Sequence, residues 1–464
     1  MHSGSASPRP RRAAGRWSST TLFVMATGGA AIGFNNFWQF PGLVAGQGGT
    51  AFLILYCFGL VLIGFPLLLA QIALGRRGHP SPVHGFMRLA AVHRADPNWF
   101  WLGWVCIVSS MLILASLCVM GGWALAYFLR ATTGTLSGLT ADALGSVFTQ
   151  LVNDPEKQLF WYTLFIGMTV AISAGGVRAG LERFARWAVP TVLVLLAGLL
   201  VYAGVAGDLW AALGKVLAPD FTRLTATSFQ QILAHVFFSL GLGVGFVFCY
   251  GAYAPDSVLP SRAALGIVAI DVGVSIFAAI VIYAILIGGE VEAAAGPALF
   301  FQALPLAFDH LPAGRLALSA FFVMIVLVAL LAAVAMLEPL VAWLGERFEQ
   351  SRARAVLVAG GLLWALGLAM MLSFNAWQFS FSFFGEIKKF GLFDAAQILT
   401  TQALLPLTGL LMAVMAGWIM RADEMRDTLT MHSPCSFDIW LWLTRLFVPL
   451  YLLFLLFSLP GLLA

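Results

Sequence analysis

The chain has 464 residues, of which 61% are hydrophobic and only 10% charged, with a mean hydropathy of +0.92. Soluble chains carry about a quarter charged residues, so a water-soluble enzyme or signalling module is excluded, and recurring apolar runs of helix-spanning length make the bilayer its solvent. The net charge of +4 is spread over short loops, which is no footprint for nucleic acid, and the runs do not alternate as β-barrel strands do.

Residues 1–18 are basic and rich in Ser, Pro and Ala, and read as a disordered cytoplasmic tail. The apolar run that follows is too long for a signal peptide and lacks an A-x-A cleavage site. Eleven spans follow, at about 19–42, 50–75, 100–130, 159–175, 184–205, 228–253, 262–288, 316–344, 355–374, 394–420 and 437–461. Basic clusters at Arg9/Arg11/Arg12/Arg16, Arg76/Arg77/Arg88/Arg94, Arg178/Arg183/Arg186 and Arg347/Arg352/Arg354 fall on one side. By the positive-inside rule that side is cytoplasmic, which puts the N-terminus inside and, with an odd number of spans, the C-terminus outside. Cys57, Cys106, Cys118 and Cys249 lie in apolar runs and Cys435 in a loop, so no disulfide is expected.

Two spans break the helix pattern. Span 1 reads GGAAIGFNNFWQFPG (Gly28–Gly42) and span 6 reads FFSLGLGVGFVF (Phe237–Phe248). Each puts glycines and polar side chains at mid-membrane, where backbone leaving the helix must line a cavity or be buried in protein. They open two five-span halves, residues 19–205 and 228–420, with an eleventh span at 437–461 left over. Interrupted helices at matching positions point to a midplane solute site between inverted repeats. The plainer reading, that the glycines only let helices pack closely, explains one such span more easily than two. Asp271, in the apolar middle of span 7, is a functional candidate because burying a carboxylate in lipid is costly. GLGVG (Gly241–Gly245) has no strand before it and is no dinucleotide loop; there is no P-loop, no Gly-x-Ser-x-Gly elbow and no His/Cys cluster at metal spacing. Neither an enzyme nor an ATP-driven pump is indicated, and no organic cofactor is expected.

The stretches Trp17–Gly78 (spans 1 and 2), GLERFARWAVP (Gly180–Pro190), Pro219–Phe221, His235–Tyr253 and LLPLTGLLMAVMAGW (Leu404–Trp418) carry a resemblance to the neurotransmitter:sodium symporters, in the branch of the bacterial leucine transporter. It implies an all-α membrane protein with the leucine-transporter fold: two inverted five-helix repeats plus an eleventh helix, working as a sodium-dependent symporter of a small amino-acid-like or amine solute. The bacterial inner membrane is its implied location, with lipid and a small solute as partners and a homodimer left open.

Carried over residue by residue, the resemblance implies a first sodium site at Ala31, Asn36, Ser239 and Asp271. A second site keeps backbone positions Gly29, Ile32 and Val328, but Leu331 and Ala332 stand where the family has two hydroxyls. The solute pocket would use Gly33, Phe34, Asn35, Ile113, Leu117, Phe238, Gly241 and Val244. Leu117 replaces the family's carboxylate-binding tyrosine, and Asn35 replaces a glycine. An outer gate of Gln39, Gln397 and His235 replaces an arginine, an aspartate and a glutamine. An inner gate would use Trp17, Tyr253 and Glu346, with Arg12 or Arg16 in place of an arginine that aligns with Ala14. Gln71 stands at a glutamate position of span 2. His235, Tyr56, Asp271 and Ser275 align with the family's halide surroundings, and His235 with Asp271 could instead carry a proton; a neutral, hydrogen-bonded His235 is the plainer alternative. Proton-coupled or uncoupled transport, or a non-transporting sensor, remain open beside sodium symport.

Overall fold

The computed structural model describes residues 15–374, 379–383, 386–431 and 433–457, with residues 379–383 and 386–390 described by their backbone alone. Eight helices among the described residues are long and apolar enough to cross a bilayer: Thr50–Arg77, Pro97–Thr133, Val177–Ala206, Pro260–Gly288, Gly314–Arg347, Arg352–Leu372, Leu392–Ile419 and Pro434–Phe457. These are spans 2, 3, 5, 7, 8, 9, 10 and 11. Span 4 is Pro155–Ala174, entered through Asp154, whose carboxylate accepts from the backbone N–H groups of Glu156 and Lys157 at 3.1 Å.

Spans 1 and 6 are each built from two short helices. Thr20–Ala31 is followed by Phe34–Gly46, with Ile32 and Gly33 in extended conformation between them. Ala226–Ser239 is followed by Phe246–Ala252. A helix of 12 residues is about 18 Å long, so neither half of span 1 reaches across about 30 Å of hydrocarbon. Between the halves of span 6, Gly241, Gly243 and Gly245 have φ of +60°, +82° and +97°, a region where side chains with a Cβ are strained. A Cβ on Gly243 would meet Thr408 Oγ1 at 2.6 Å and the Leu405 carbonyl oxygen at 2.7 Å. Thr408 of span 10 donates to the Gly243 carbonyl at 2.8 Å, so part of the freed backbone is satisfied by a neighbouring span.

Span 1 runs on to Gly46, past the expected end at Gly42, because Pro41 inside the second half removes one hydrogen bond without ending the helix. Span 3 packs along span 8, and span 7 lies against both halves of span 1. Burial sorts the helices into centre and rim: 83% of the apolar window of span 8 and 72% of that of span 3 are buried, against 33% for span 5 and 28% for span 11, which face lipid. Between spans 9 and 10 an antiparallel hairpin, Phe379–Phe383 with Glu386–Phe390, adds two strands to an otherwise helical chain. On the same face, helices Leu209–Leu217 and Leu299–Asp309 cover the span ends, and Gly49 bridges Pro219.

Candidate solute and cation site

The two breaks meet at a cavity of about 940 Å³ bounded by spans 1, 3, 6, 7, 8 and 10. All the expected solute-contacting residues line it: Gly33, Phe34, Asn35, Ile113, Leu117, Phe238, Gly241 and Val244. Ala31, Asn36 and Ser239 form part of the same wall. Ser116, Met120, Met336, Thr401 and Leu405 also line it and were not expected, while Ala332, expected beside the second ion position, lines it too. The signal for them was weak, since an apolar residue on span 3 or 8 looks the same facing solute or facing a neighbouring helix. Asn35 is held in place by Trp38, whose indole N–H donates to Asn35 Oδ1 at 3.1 Å, and Trp38 stacks on Phe34 at 5.4 Å. At Gly241 a Cβ would lie 2.5 Å from the Phe246 ring, so backbone conformation and packing both require glycine.

Behind this wall lies Asp271, fully buried. Its Oδ1 accepts from Asn36 Nδ2 at 2.7 Å; its Oδ2 accepts from Ser239 Oγ, and from Tyr56 Oη at 3.1 Å. Asn36 Nδ2 also donates to Ser275 Oγ at 2.8 Å, while Asn36 Oδ1 accepts the Gly33 backbone N–H at 2.9 Å. Asn36 from the span-1 break and Ser239 from the span-6 break are thus joined through one carboxylate of span 7. No cationic side chain pairs with Asp271 among the described residues. A buried carboxylate held only by neutral donors, with amide, hydroxyl and carbonyl oxygens beside it, suits a small hard cation such as sodium.

The second set behaves differently. Gly29 is wedged between Val189 and Leu331: a Cβ on it would lie 2.6 Å from Val189 Cγ2 and 3.4 Å from Leu331 Cδ1. Ile32 and Val328 are buried, and Leu331 brings an aliphatic surface to this point. Such a lining offers no replacement for the hydration shell of an ion.

His235 is not at the mouth, where the outer gate was expected. It is buried, with its ring 5.5 Å from Phe40 and 5.7 Å from Tyr56, and neither ring nitrogen has a hydrogen-bond partner among the described residues. It forms no hydrogen bond with Asp271, so neither the hydrogen-bonded neutral histidine nor the alternative proton pair is present in this arrangement. The physical reason is its setting: aromatic faces surround it and offer no acceptor. Gln71 is likewise buried with both amide atoms unpartnered. Gln39 and Gln397 do reach the cavity, without bonding to each other, and Lys215 and Arg223 stand farther out in the same wall. Lys215 lies over the Tyr283 ring at 5.7 Å, and Arg223 pairs with Asp220 at 2.9 Å. No carboxylate lines the cavity among the described residues.

At the opposite face the protein is sealed, with an acid other than the expected one. Tyr253 Oη donates to Glu338 Oε1 at 2.7 Å, and Arg352 clasps the same carboxylate through two nitrogens at 2.7 and 2.6 Å. Glu338 is fully buried in span 8, a second intramembrane carboxylate that was visible as Glu338–Pro339 within an apolar run. Glu346 lies apart, accepting from the Ser81 N–H at 3.3 Å and meeting His84 Nδ1 at 2.9 Å. Trp17 lies against the same helix end: its backbone N–H donates to the Tyr253 carbonyl at 3.1 Å, and its indole packs edge-on to Tyr250 at 5.0 Å. Arg16 pairs with Asp256 at 2.9 Å, while Arg12 and Ala14 lie outside the described residues. Ser18 donates to Glu182 from both its backbone and its hydroxyl, tying the start of span 1 to the start of span 5.

Known proteins resemble this chain in sequence and in fold. The profile of the sodium:neurotransmitter symporter family matches residues 14–144 and 147–459. The sodium-dependent transporter YhdH of Bacillus subtilis is 29% identical over 454 residues, covering 97% of this chain and 98% of that protein. The mouse sodium-dependent neutral amino acid transporter SLC6A17 is 26% identical over 58% of this chain and 40% of its own length. A crystal structure of MhsT in complex with L-phenylalanine superposes with a TM-score of 0.84 at 29% identity, covering 96% of this chain and 99% of that one. Two broken spans around one cavity, a buried carboxylate joining them, and a sequence match along nearly the whole chain lead to one conclusion: the protein is a sodium-dependent transporter with the leucine-transporter fold and belongs to the sodium:neurotransmitter symporter family.

Proposed function

We propose that this protein imports a hydrophobic, zwitterionic amino acid together with sodium, by alternating access across a bacterial inner membrane. The observation that carries this reading is Asp271: a buried carboxylate with no cationic partner among the described residues, bonded to both helix breaks. Sodium would be held by Asp271 and Ser239, with the Ala31 carbonyl and Asn36 Oδ1 as further ligands. Turning the Asn36 amide over would trade its donor for an acceptor on the Asp271 side, at the loss of its bond to Gly33 N–H. Bound there, the ion neutralises the carboxylate and ties the two breaks in one arrangement, the differential interaction that coupling requires.

An amino acid is favoured over an amine by charge. The cavity carries Lys215 and Arg223 towards its mouth and no carboxylate to receive a lone ammonium group. Ile113, Leu117, Met120, Phe238 and Val244 give an apolar side chain its place, and Asn35 and the backbone of the span-1 break give the carboxylate polar partners. The aliphatic packing of Leu331 on Gly29 supports a single sodium ion per solute. With the N-terminus cytoplasmic, as the basic clusters indicate, the open mouth faces outward and the Tyr253–Glu338–Arg352 seal faces the cytoplasm.

Uptake of labelled phenylalanine, leucine and tyramine into proteoliposomes tests the proposal. Amino-acid uptake under an inward sodium gradient, lost with choline and in Asp271→Ala, is expected. Equal uptake in choline would reject sodium coupling, and accumulation of tyramine alone would reject the substrate class.

A further inference from the structure

A second cavity, separate from the central one, opens between spans 3, 4, 5 and 8. Its volume is about 530 Å³ and its walls are almost entirely apolar, among them Leu125, Phe128, Met168, Ile172, Val326 and Leu330. Span 5 beside it faces lipid, with Val194 69% and Trp187 50% exposed. One end of the groove is different. There Arg183 stands with Phe184 and Trp187, whose rings meet edge to face at 5.2 Å, as aromatic side chains do at a membrane–water boundary.

The charges around Arg183 are already committed. Arg178 donates to the Arg16 carbonyl at 3.0 Å, and Arg186 pairs with Glu182 at 3.0 Å. Glu182 also accepts two bonds from Ser18, so both of its oxygens are occupied. Arg183 is exposed, and its side chain makes no ion pair or hydrogen bond among the described residues. A lipid-facing apolar groove that ends in an unpartnered guanidinium, within a basic cluster, matches the two parts of an anionic phospholipid.

We propose that this groove binds one anionic phospholipid, its acyl chain lying between spans 4 and 8 and its phosphate resting on Arg183. Net negative charge in the headgroup is required because the Arg183 guanidinium at the end of the groove has no carboxylate partner among the described residues and would oppose a choline cation. The bound chain would join span 5 to the scaffold of spans 3, 4 and 8, independently of the central cavity.

The test is native mass spectrometry and thermal melting of the purified full-length protein in detergent, titrated with dioleoyl phosphatidylglycerol, dioleoyl phosphatidylcholine or glycerol phosphate. One phosphatidylglycerol should be retained and should raise the melting temperature, with phosphatidylcholine needing about tenfold more for the same effect. Arg183→Gln should weaken retention about tenfold, Arg186→Gln should leave it unchanged, and Val326→Trp, which fills the groove, should abolish it. Retention by Arg183→Gln equal to that of the unaltered protein would overturn the headgroup assignment. Full retention by a folded Val326→Trp, or competition by glycerol phosphate at the lipid's own concentration, would overturn the groove, leaving only a surface anion contact.

Discussion

At the scale of single residues, Asp271 decides which chemistry the site can support. Three neutral donors stabilise its charge but do not cancel it, and a monovalent cation beside it does. Asp271→Asn keeps the shape and removes the charge, so the sodium concentration for half-maximal uptake should rise by about tenfold or more, equivalent to ~1.4 kcal/mol or more of lost binding. Sodium titration of uptake reads this directly, and an unchanged half-saturation point would remove Asp271 from the ion site. Leu331 and Ala332 make the converse case. Introducing hydroxyls in the double variant Leu331→Thr, Ala332→Ser should raise the Hill coefficient for sodium from about 1 towards 2, at a stability cost of about 2–4 kcal/mol for the lost packing. If the unaltered protein already shows cooperative sodium dependence, the single-ion reading is wrong.

At the scale of elements, the break in span 6 rests on backbone that only glycine adopts without strain. Gly243→Ala must accommodate a φ of +82° and displace Thr408, the side chain that satisfies the Gly243 carbonyl. A loss of about 1–3 kcal/mol is expected, measured as a lower melting temperature together with impaired uptake. Gly273→Ala in span 7 is the matched control: a Cβ there meets nothing within 4 Å, so stability should hold or rise slightly. Equal effects of the two substitutions would mean that the break is not what makes Gly243 sensitive. The break in span 1 is held by a side chain: Asn36 bonds back to the Gly33 N–H while its other end reaches Asp271. One residue therefore both starts a helix and joins the break to the proposed ion site.

For the whole molecule, the closed face and the open face are linked through the same broken spans. Glu338 holds Tyr253 of span 6 and Arg352 of span 9 together beneath the cavity. Glu338→Gln should loosen this seal and populate conformations open at the Trp17 face. Cys249, buried beside Tyr250, should then react faster with a membrane-impermeant maleimide added from that face, in a background with Cys57 and Cys435 replaced by serine. Unchanged labelling would show that the seal does not depend on this carboxylate. Arg352→Gln leaves Glu338 charged and buried without its partner, so it should be the more damaging change, costing about 3–5 kcal/mol.

Hydropathy, glycine placement and the basic clusters were enough, from the amino-acid order alone, to indicate a helical membrane protein with two interrupted spans and a carboxylate between them. These are local signals, because the bilayer penalises every unsatisfied backbone group and every unpaired charge at the position where it occurs. Contacts between distant spans were settled only by the folded chain. That Tyr253 meets Glu338 and not Glu346, that His235 lies among aromatic rings away from the mouth, and that Leu331 packs onto Gly29 each depend on how two helices far apart in sequence are rotated against one another. In a chain where lipid-facing and core-facing surfaces are both apolar, that rotation leaves little trace in the residue pattern, and packing alone determines it.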